Sequence, residues 1–319
     1  MKEKFIEGKI EKEKEPVYEV VMINPRKPLE EQHYDFGIEV TLPGAQKNVL
    51  VLDHHGPDAT AETPSACEQA LILEEEKLPP KGAKIGILKP DPDSLTALAI
   101  LELRKENRKI DPEIVKVVGI LDRLGPKSME EFKGTPLEKK VSAIWKMSGD
   151  FNVPLEKKIE FIKKVLEGNK EVESEIEKLY QERNEELEKA RKNSEIELVA
   201  GGKVAFVKSK DRYAMNLGYE KANIVVALNP EMPVMKRTPE GKFQPTGETY
   251  RKYTIARLNQ FVPIDLAGVL KELNQKEEEK GGHSTWGGRG DIIGSPIGVS
   301  SKLEPEEVIK IIEKYLLEK

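Results

Sequence analysis

The chain has 319 residues with 52 Lys and Arg against 57 Asp and Glu, a net charge of −5 and one cysteine. That length exceeds what one hydrophobic core usually supports, so two domains are expected. The negative balance excludes general affinity for polyanions, and the lone Cys67 excludes an intramolecular disulfide or a Cys-based zinc cage, as in a reducing cytoplasm.

No run approaches about 18 consecutive apolar residues, and Met1-Lys2-Glu3-Lys4 leads into no apolar segment. We therefore expect neither a membrane span nor a secretory signal, and a cytoplasmic location. The richness in Lys and Glu is a compositional hint of a heat-adapted source, a thermophile.

From Glu19 to Leu124, short apolar runs alternate with helical patterns. Glu19 to Ile23, Gly37 to Leu42, Asn48 to Leu52 and Lys84 to Leu88 read as strands; Pro64 to Glu76 and Ser94 to Arg104 read as helices. This alternation predicts an α/β unit over 1–150, a mainly parallel sheet flanked by helices, with ligands at the carboxyl ends of its strands. From Pro154 to Ser194, Glu and Lys dominate, and Val172, Ile176, Leu179, Leu187 and Ala190 form only a narrow apolar stripe. Residues 151–195 are thus expected to be a long, charged, mostly solvated helical connector.

Strand patterns resume at Ile196 to Ala200, Lys203 to Val207 and Ile224 to Leu228, and Pro230 to Thr249 reads as an excursion or hairpin. Tyr253 to Leu258, a helix from Asp265 to Asn274, a glycine-dense stretch from Gly281 to Gly290 and a last helix starting near Glu304-Pro305 complete a smaller mixed α/β unit over 196–319.

Ionisable groups gather where apolar runs stop. Asn48 to Leu52 ends in Asp53-His54-His55, which uses two of the four histidines in the chain. Adjacent imidazoles after a buried strand offer no packing advantage and need partners, which points to chemistry. Lys84 to Leu88 leads to Asp91 and Asp93, and Val117 to Leu121 leads to Asp122-Arg123. Each has a plainer reading: Asp91 and Asp93 as a turn and a helix cap, Asp122 as the partner of Arg123. Carboxylates with neutral imidazoles suit Mn²⁺, Fe²⁺ or Zn²⁺ more than Ca²⁺, and ligands on neighbouring strand ends can hold two ions roughly 3.5–4 Å apart. In the glycine-dense stretch, backbone N–H groups can face an anion, with His283 and Arg289 or Arg257 adding charge; the plainer reading is a surface loop. Trp286 within it either stacks on a base or covers a core edge.

Asp53-His54-His55 in the first half, with Gly281-Gly282-His283 in the second and a helical connector between, resembles the DHH phosphoesterase superfamily in the subgroup carrying a DHHA1 domain. Thr63-Pro64-Ser65-Ala66 and Tyr253-Thr254-Ile255-Ala256-Arg257 extend the resemblance over nearly the whole chain. It implies a metal-site domain over 1–150, a substrate-binding domain over 196–319, and two manganese ions, or magnesium, in the cleft between them. The implied activity is hydrolysis of phosphodiester bonds in short oligonucleotides, single-stranded nucleic acid or small nucleotides, in a monomer or homodimer. By the same resemblance Asp53, His54 and Asp122 would hold metal, His55 with Asp53 would act in catalysis, and Gly281, Gly282, His283 and Arg257 would bind substrate; from their own place in the sequence Asp91 and Asp93 join the metal candidates, Lys89 the catalytic ones and Arg289 the substrate-binding ones.

The sequence departs from the family pattern in one motif. The family opens with His-x-Asp-x-Asp on its first strand, whereas Lys89-Pro90-Asp91-Pro92-Asp93 comes after Asp53-His54-His55 and puts Lys89 where histidine is expected. The aspartate of the preceding strand has two candidates, Asp35 and Asn24, and His33 reads as a surface histidine. Three functions follow: a phosphodiesterase; a catalytically degenerate nucleotide or single-strand binder, in which Lys89 replaces a metal charge; and a phosphatase for a small metabolite. The first requires Asp53, His54, Asp91, Asp93 and Asp122 to converge.

Overall fold

The structure is a computed structural model, and it describes residues 17–25, 27–40, 49–55, 59–239, 243–282, 285–288 and 290–317. It is mixed α/β and built on two sheets. The first has four strands, β1 (Glu19–Met22), β2 (Phe36–Ile38), β3 (Leu50–Leu52) and β4 (Lys84–Ile87), all parallel, in the order β1-β4-β2-β3. Register fixes the functional edge, because Ile38 lies opposite both Leu52 and Ile87. The residues that follow β2, β3 and β4 therefore emerge side by side at the carboxyl edge.

Six helices accompany this sheet: α1 (Ala66–Ile72), α2 (Pro92–Lys105), α3 (Pro112–Leu124), α4 (Pro136–Ser148), α5 (Leu155–Glu167) and α6 (Glu173–Asn193). Asp91, Asp111 and Thr135 cap α2, α3 and α4 through their side chains, and each is followed by proline at the first helical position. The apolar run Val117 to Leu121 is part of α3, not a strand: its moment follows a helical period, and Asp122 lies within the last turn. The helix expected over Pro64 to Glu76 stops at Ile72, and a short 3₁₀ turn follows at Glu75–Lys77. α5 belongs to the first core, to which it gives Ile159, Phe161, Ile162, Val165 and Leu166. α6 is the solvated, charged helix that its narrow stripe predicts; within it only Ile176 and Ala190 are buried.

The second sheet has six strands in the order β5-β6-β7-β8-β10-β9. These are β5 (Glu195–Val199), β6 (Val204–Lys208), β7 (Ile224–Arg237), β8 (Phe243–Arg257), β9 (Gly287–Gly288) and β10 (Ile292–Gly294). Only β6 and β7 are parallel, joined across the short helix α7 (Ala214–Tyr219); β7 and β8 form the long hairpin that the excursion from Pro230 to Thr249 implied. The first part of the chain is the longer, but its sheet has fewer strands than the second. α8 (Leu266–Glu279) and α9 (Pro305–Lys314) join β7 and β8 in a second hydrophobic core that includes Val226, Tyr253, Ile255, Leu273 and Ile312. Among the described residues, no helix is long and apolar enough to cross a membrane.

Candidate metal centre in the cleft

The chain leaves β3 at Leu52 under tight control. Gln69 of α1 donates to the Asp53 carbonyl at 2.7 Å and accepts from its amide at 3.3 Å. The Asp53 carboxylate then closes a small turn: it accepts from the His55 amide at 2.8 Å and lies 3.1 Å from His55 Nδ1. His55 is thereby held half-exposed at the cleft, while His54 is buried.

His54 Nε2 lies 2.8 Å from Asp122 Oδ2 and 3.3 Å from Glu39 Oε1. The buried nitrogen thus faces two carboxylates as an ion pair, without a well-aligned hydrogen bond. The ligand atoms of Glu39, His54, Asp93 and Asp122 all lie within 4.8 Å of one another, and Glu39, His54 and His55 form a second, overlapping group.

Glu39 is the residue that sequence reading missed. The expected strand ran from Gly37 to Leu42, which made Glu39 an ordinary strand position. In the structure β2 ends at Ile38, and Glu39 has a φ of 51°, a left-handed conformation costly for a side chain with a Cβ. Its amide still donates to the Leu52 carbonyl at 2.8 Å, so the backbone stays tied to β3. The available signal was register: the residue after Ile38 is level with Asp53.

Asp122 reaches the site because α3 packs closely on the start of α1. A Cβ on Gly119, one turn earlier, would come 2.6 Å from Ser65 Oγ and 2.5 Å from the Glu68 carboxyl carbon. Arg123 is not the partner of Asp122. It forms a two-pronged pair with Glu68 at 3.0 and 3.1 Å and donates to the Ala61 carbonyl, leaving Asp122 to face His54.

Asp93 and Asp91 divide their roles. Asp93 is fully buried near the start of α2 and accepts from Ser65 Oγ at 2.8 Å, the Ala66 amide at 2.8 Å and the Cys67 amide at 3.0 Å. It thus answers the free N–H groups at the start of α1 while joining the four-residue cluster. Asp91 lies outside both ligand groups: it caps α2 by accepting from the Ser94 amide at 3.1 Å and from Ser94 Oγ at 2.7 Å. Asp53 is likewise outside both groups. Lys89 is 61% exposed, and its ammonium lies 3.5 Å from Asp91.

Crowded carboxylates disturb one another. Burial, and then the charges of Asp91, Asp93 and Asp122, push the Glu39 carboxyl well above the usual range. Burial and the Asp122 charge push Asp93 up to about 6. Burial alone would lower His54, but the Asp122, Asp93 and Asp53 carboxylates outweigh it and raise the imidazole. His55 is raised chiefly by its contact with Asp53. Three carboxylates and an imidazole on one point, with no protein cation inside the cluster, form a donor set that fits a divalent ion.

The site opens into a cavity of about 360 Å³ between the two halves, lined on the far side by Arg257 to Gln260, Gly290 and Asp291. Gln260 Nε2 lies 3.4 Å from the His54 carbonyl and ties the two walls together. Arg257 lines this wall; its Nε is buried without a partner, and its Nη1 has only a long contact of 3.4 Å to the Val262 carbonyl. Gln260 and Asn259 escaped sequence reading because an amide in a loop carries no pattern.

Other expected residues lie elsewhere. Gly281 and Gly282 end α8: their amides donate to the Glu278 and Glu277 carbonyls, each at 2.9 Å, with Gly281 at φ +74°. Neither lines the cavity. His283 and Arg289 lie outside the described residues. Trp286 covers a core edge: it is buried, donates from Nε1 to Glu277 at 3.0 Å and stacks on Tyr253 at 5.8 Å. Asp35 accepts from the Lys84 amide at 2.8 Å at the amino end of β2, away from the site, and His33 is exposed. Asn24 follows β1 and is engaged with Gln32 through its backbone.

No protein-family model matches the chain, and no curated protein matches it. Among solved structures the chain is similar to the pGpG-specific phosphodiesterase PggH from Vibrio cholerae, over 92% of this chain and 88% of that one, with a TM-score of 0.43 and 9% identity.

Proposed function

We propose that the chain is a metal-dependent phosphoesterase that hydrolyses phosphodiester bonds of short oligonucleotides or small nucleotides in the cleft between its two halves. The observation that carries this reading is the buried His54 Nε2, which has no well-aligned hydrogen bond and converges with Glu39, Asp93 and Asp122. Three buried carboxylates converging on one imidazole leave more negative charge than the ring can neutralise, which argues for a cation. Manganese suits this mixture of donors, and the overlapping Glu39, His54 and His55 group offers room for a second ion. When bound, such ions supply Lewis acidity and lower the pKa of water.

The remaining roles belong to the cleft residues. Arg257, with spare donors, and Lys89 bind phosphate oxygens from opposite walls. His55, held by Asp53 through Nδ1, turns its other ring nitrogen toward the cleft beside the scissile phosphate, and Asp53 fixes that orientation. Exclusion of bulk water follows from the Gln260 contact that draws the walls together.

A degenerate binding protein would need Lys89 to neutralise the cluster. Its ammonium instead pairs with the outlying Asp91, which supports the enzyme. The test is manganese titration followed by hydrolysis of a short RNA or DNA oligomer and a cyclic dinucleotide. Manganese-dependent turnover that His54→Ala abolishes is the expected result. A wild type that neither binds manganese nor turns over, while Lys89→His gains either property, would make nucleotide binding the function.

A further inference from the structure

A second cavity, of about 250 Å³, lies where α4, α6 and the segment leading into α7 meet. Its floor is apolar, with Leu121 and Met129, and its walls hold Trp145, Tyr213, Arg183 and Arg212.

The two arginines set it apart. Arg104, Arg108, Arg123, Arg191 and Arg251 each pair with a glutamate. Among the described residues, Arg183 has only the Asn184 amide oxygen at 3.4 Å, and Arg212 only the Gly149 carbonyl at 3.1 Å. Both therefore carry an uncompensated charge and spare donors into the same cavity, as Arg257 does in the cleft. Arg212 is exposed and reaches across to the first half of the chain. Gly149 ends α4 with ordinary backbone angles, yet a Cβ there would lie 2.5 Å from the Arg212 guanidinium. Glycine at that position lets a guanidinium from the second half lie across the end of α4. The third cation lining the cavity, Lys146, is occupied by Glu186 at 2.7 Å.

We propose that this cavity binds a nucleoside monophosphate, its phosphate held by Arg183 and Arg212 and its base lying against Trp145 or Tyr213. Guanidinium forks match phosphate oxygens, and an aromatic face accepts any base. The cavity shares Pro126, Met129, Arg183 and Asn216 with an adjoining groove of about 1080 Å³, which gives the sugar an exit. Because its walls come from α4, α6 and the second half, an occupant bridges the same two bodies that form the cleft. This site stands independently of the reading of the cleft.

Tryptophan emission provides the test, since Trp286 is buried in the second core and Trp145 borders the cavity. The full chain carrying His54→Ala and Arg257→Gln, which disables the cleft, is titrated with AMP, GMP, adenosine and inorganic phosphate. Saturable quenching by AMP and GMP, weak competition by phosphate and no response to adenosine are expected. Adding Arg183→Gln should weaken AMP about tenfold or more, with Arg183→Lys recovering part of the loss. Equilibrium dialysis with AMP and adenosine gives the same comparison without any change at Arg183. Equal binding of adenosine, AMP affinity unchanged by Arg183→Gln, or no saturable AMP binding by either method overturns the proposal.

Discussion

Two motifs stand out in the sequence, and the structure treats them differently. His54 and His55 of the first motif join converging groups of possible metal donors, whereas Gly281-Gly282 ends a helix. The difference lies in what the residue types can do without a ligand. Glycine has a structural use wherever a helix must stop, and the two amides at α8 use it fully. At the end of β3 the carboxylate has such a use, closing the turn to His55, but the two imidazoles do not. One of the imidazoles is buried against two carboxylates without a well-aligned hydrogen bond, a costly arrangement that a bound cation would relieve. A motif is thus as informative as its structural alternative is weak.

The strongest way to break the comparison is at its first member. His54→Ala should abolish manganese binding at the cluster and reduce hydrolysis by on the order of a thousandfold or more, read by metal titration and by rate under saturating manganese. Retained manganese-dependent turnover would put the chemistry elsewhere.

A second test uses pH in the presence of a chelator. Asp93 is pushed from 3.8 up to about 6 in the fold, so the native state holds more protons than the unfolded chain in that window. Stability of the metal-free protein should therefore fall as pH rises from about 4 through 6, by about 3 kcal/mol from this group alone. The raised Glu39, His54 and His55 add slopes of the same sign. Thermal melts with chelator and with manganese should diverge toward neutral pH, because a bound cation replaces the protons. Parallel curves would argue against a cation in the cluster.

Much of the architecture was legible because it rests on periodicity. The aliphatic runs at β1, β3 and β4 and the charged face of α6 read directly, as did Pro305 in the first turn of α9. Asp122 was named as a candidate but set at the end of an apolar run rather than on a helix, since Val117 to Leu121 is apolar enough to pass for a strand until Ile114 and Val115 are counted into a helical face. Glu39 was hidden for a different reason. Its position depends on a left-handed φ held by the hydrogen bond to Leu52, a tertiary constraint that leaves no local trace. Gly119 was noted only as part of a run, although it is what lets α3 approach α1. Gly119→Ala should cost about 1–3 kcal/mol through overpacking against Ser65 and Glu68, and should weaken manganese binding because Asp122 moves with α3. A melt with manganese titration checks both, and lost stability with unchanged manganese affinity would separate α3 packing from the site.

The smallest expected effect sharpens the second member of the comparison. Gly281 sits at φ +74° with no atom within 4 Å of where a Cβ would stand, so Gly281→Ala meets only backbone strain. That strain is worth about 1–2 kcal/mol, which a denaturant melt resolves. Because Gly281 does not line the cavity, hydrolysis per folded molecule should stay within about twofold of wild type. A loss confined to KM, with stability unchanged, would instead mean that the glycine turn holds substrate. The two motifs would then be partners in one site rather than a centre and a helix cap.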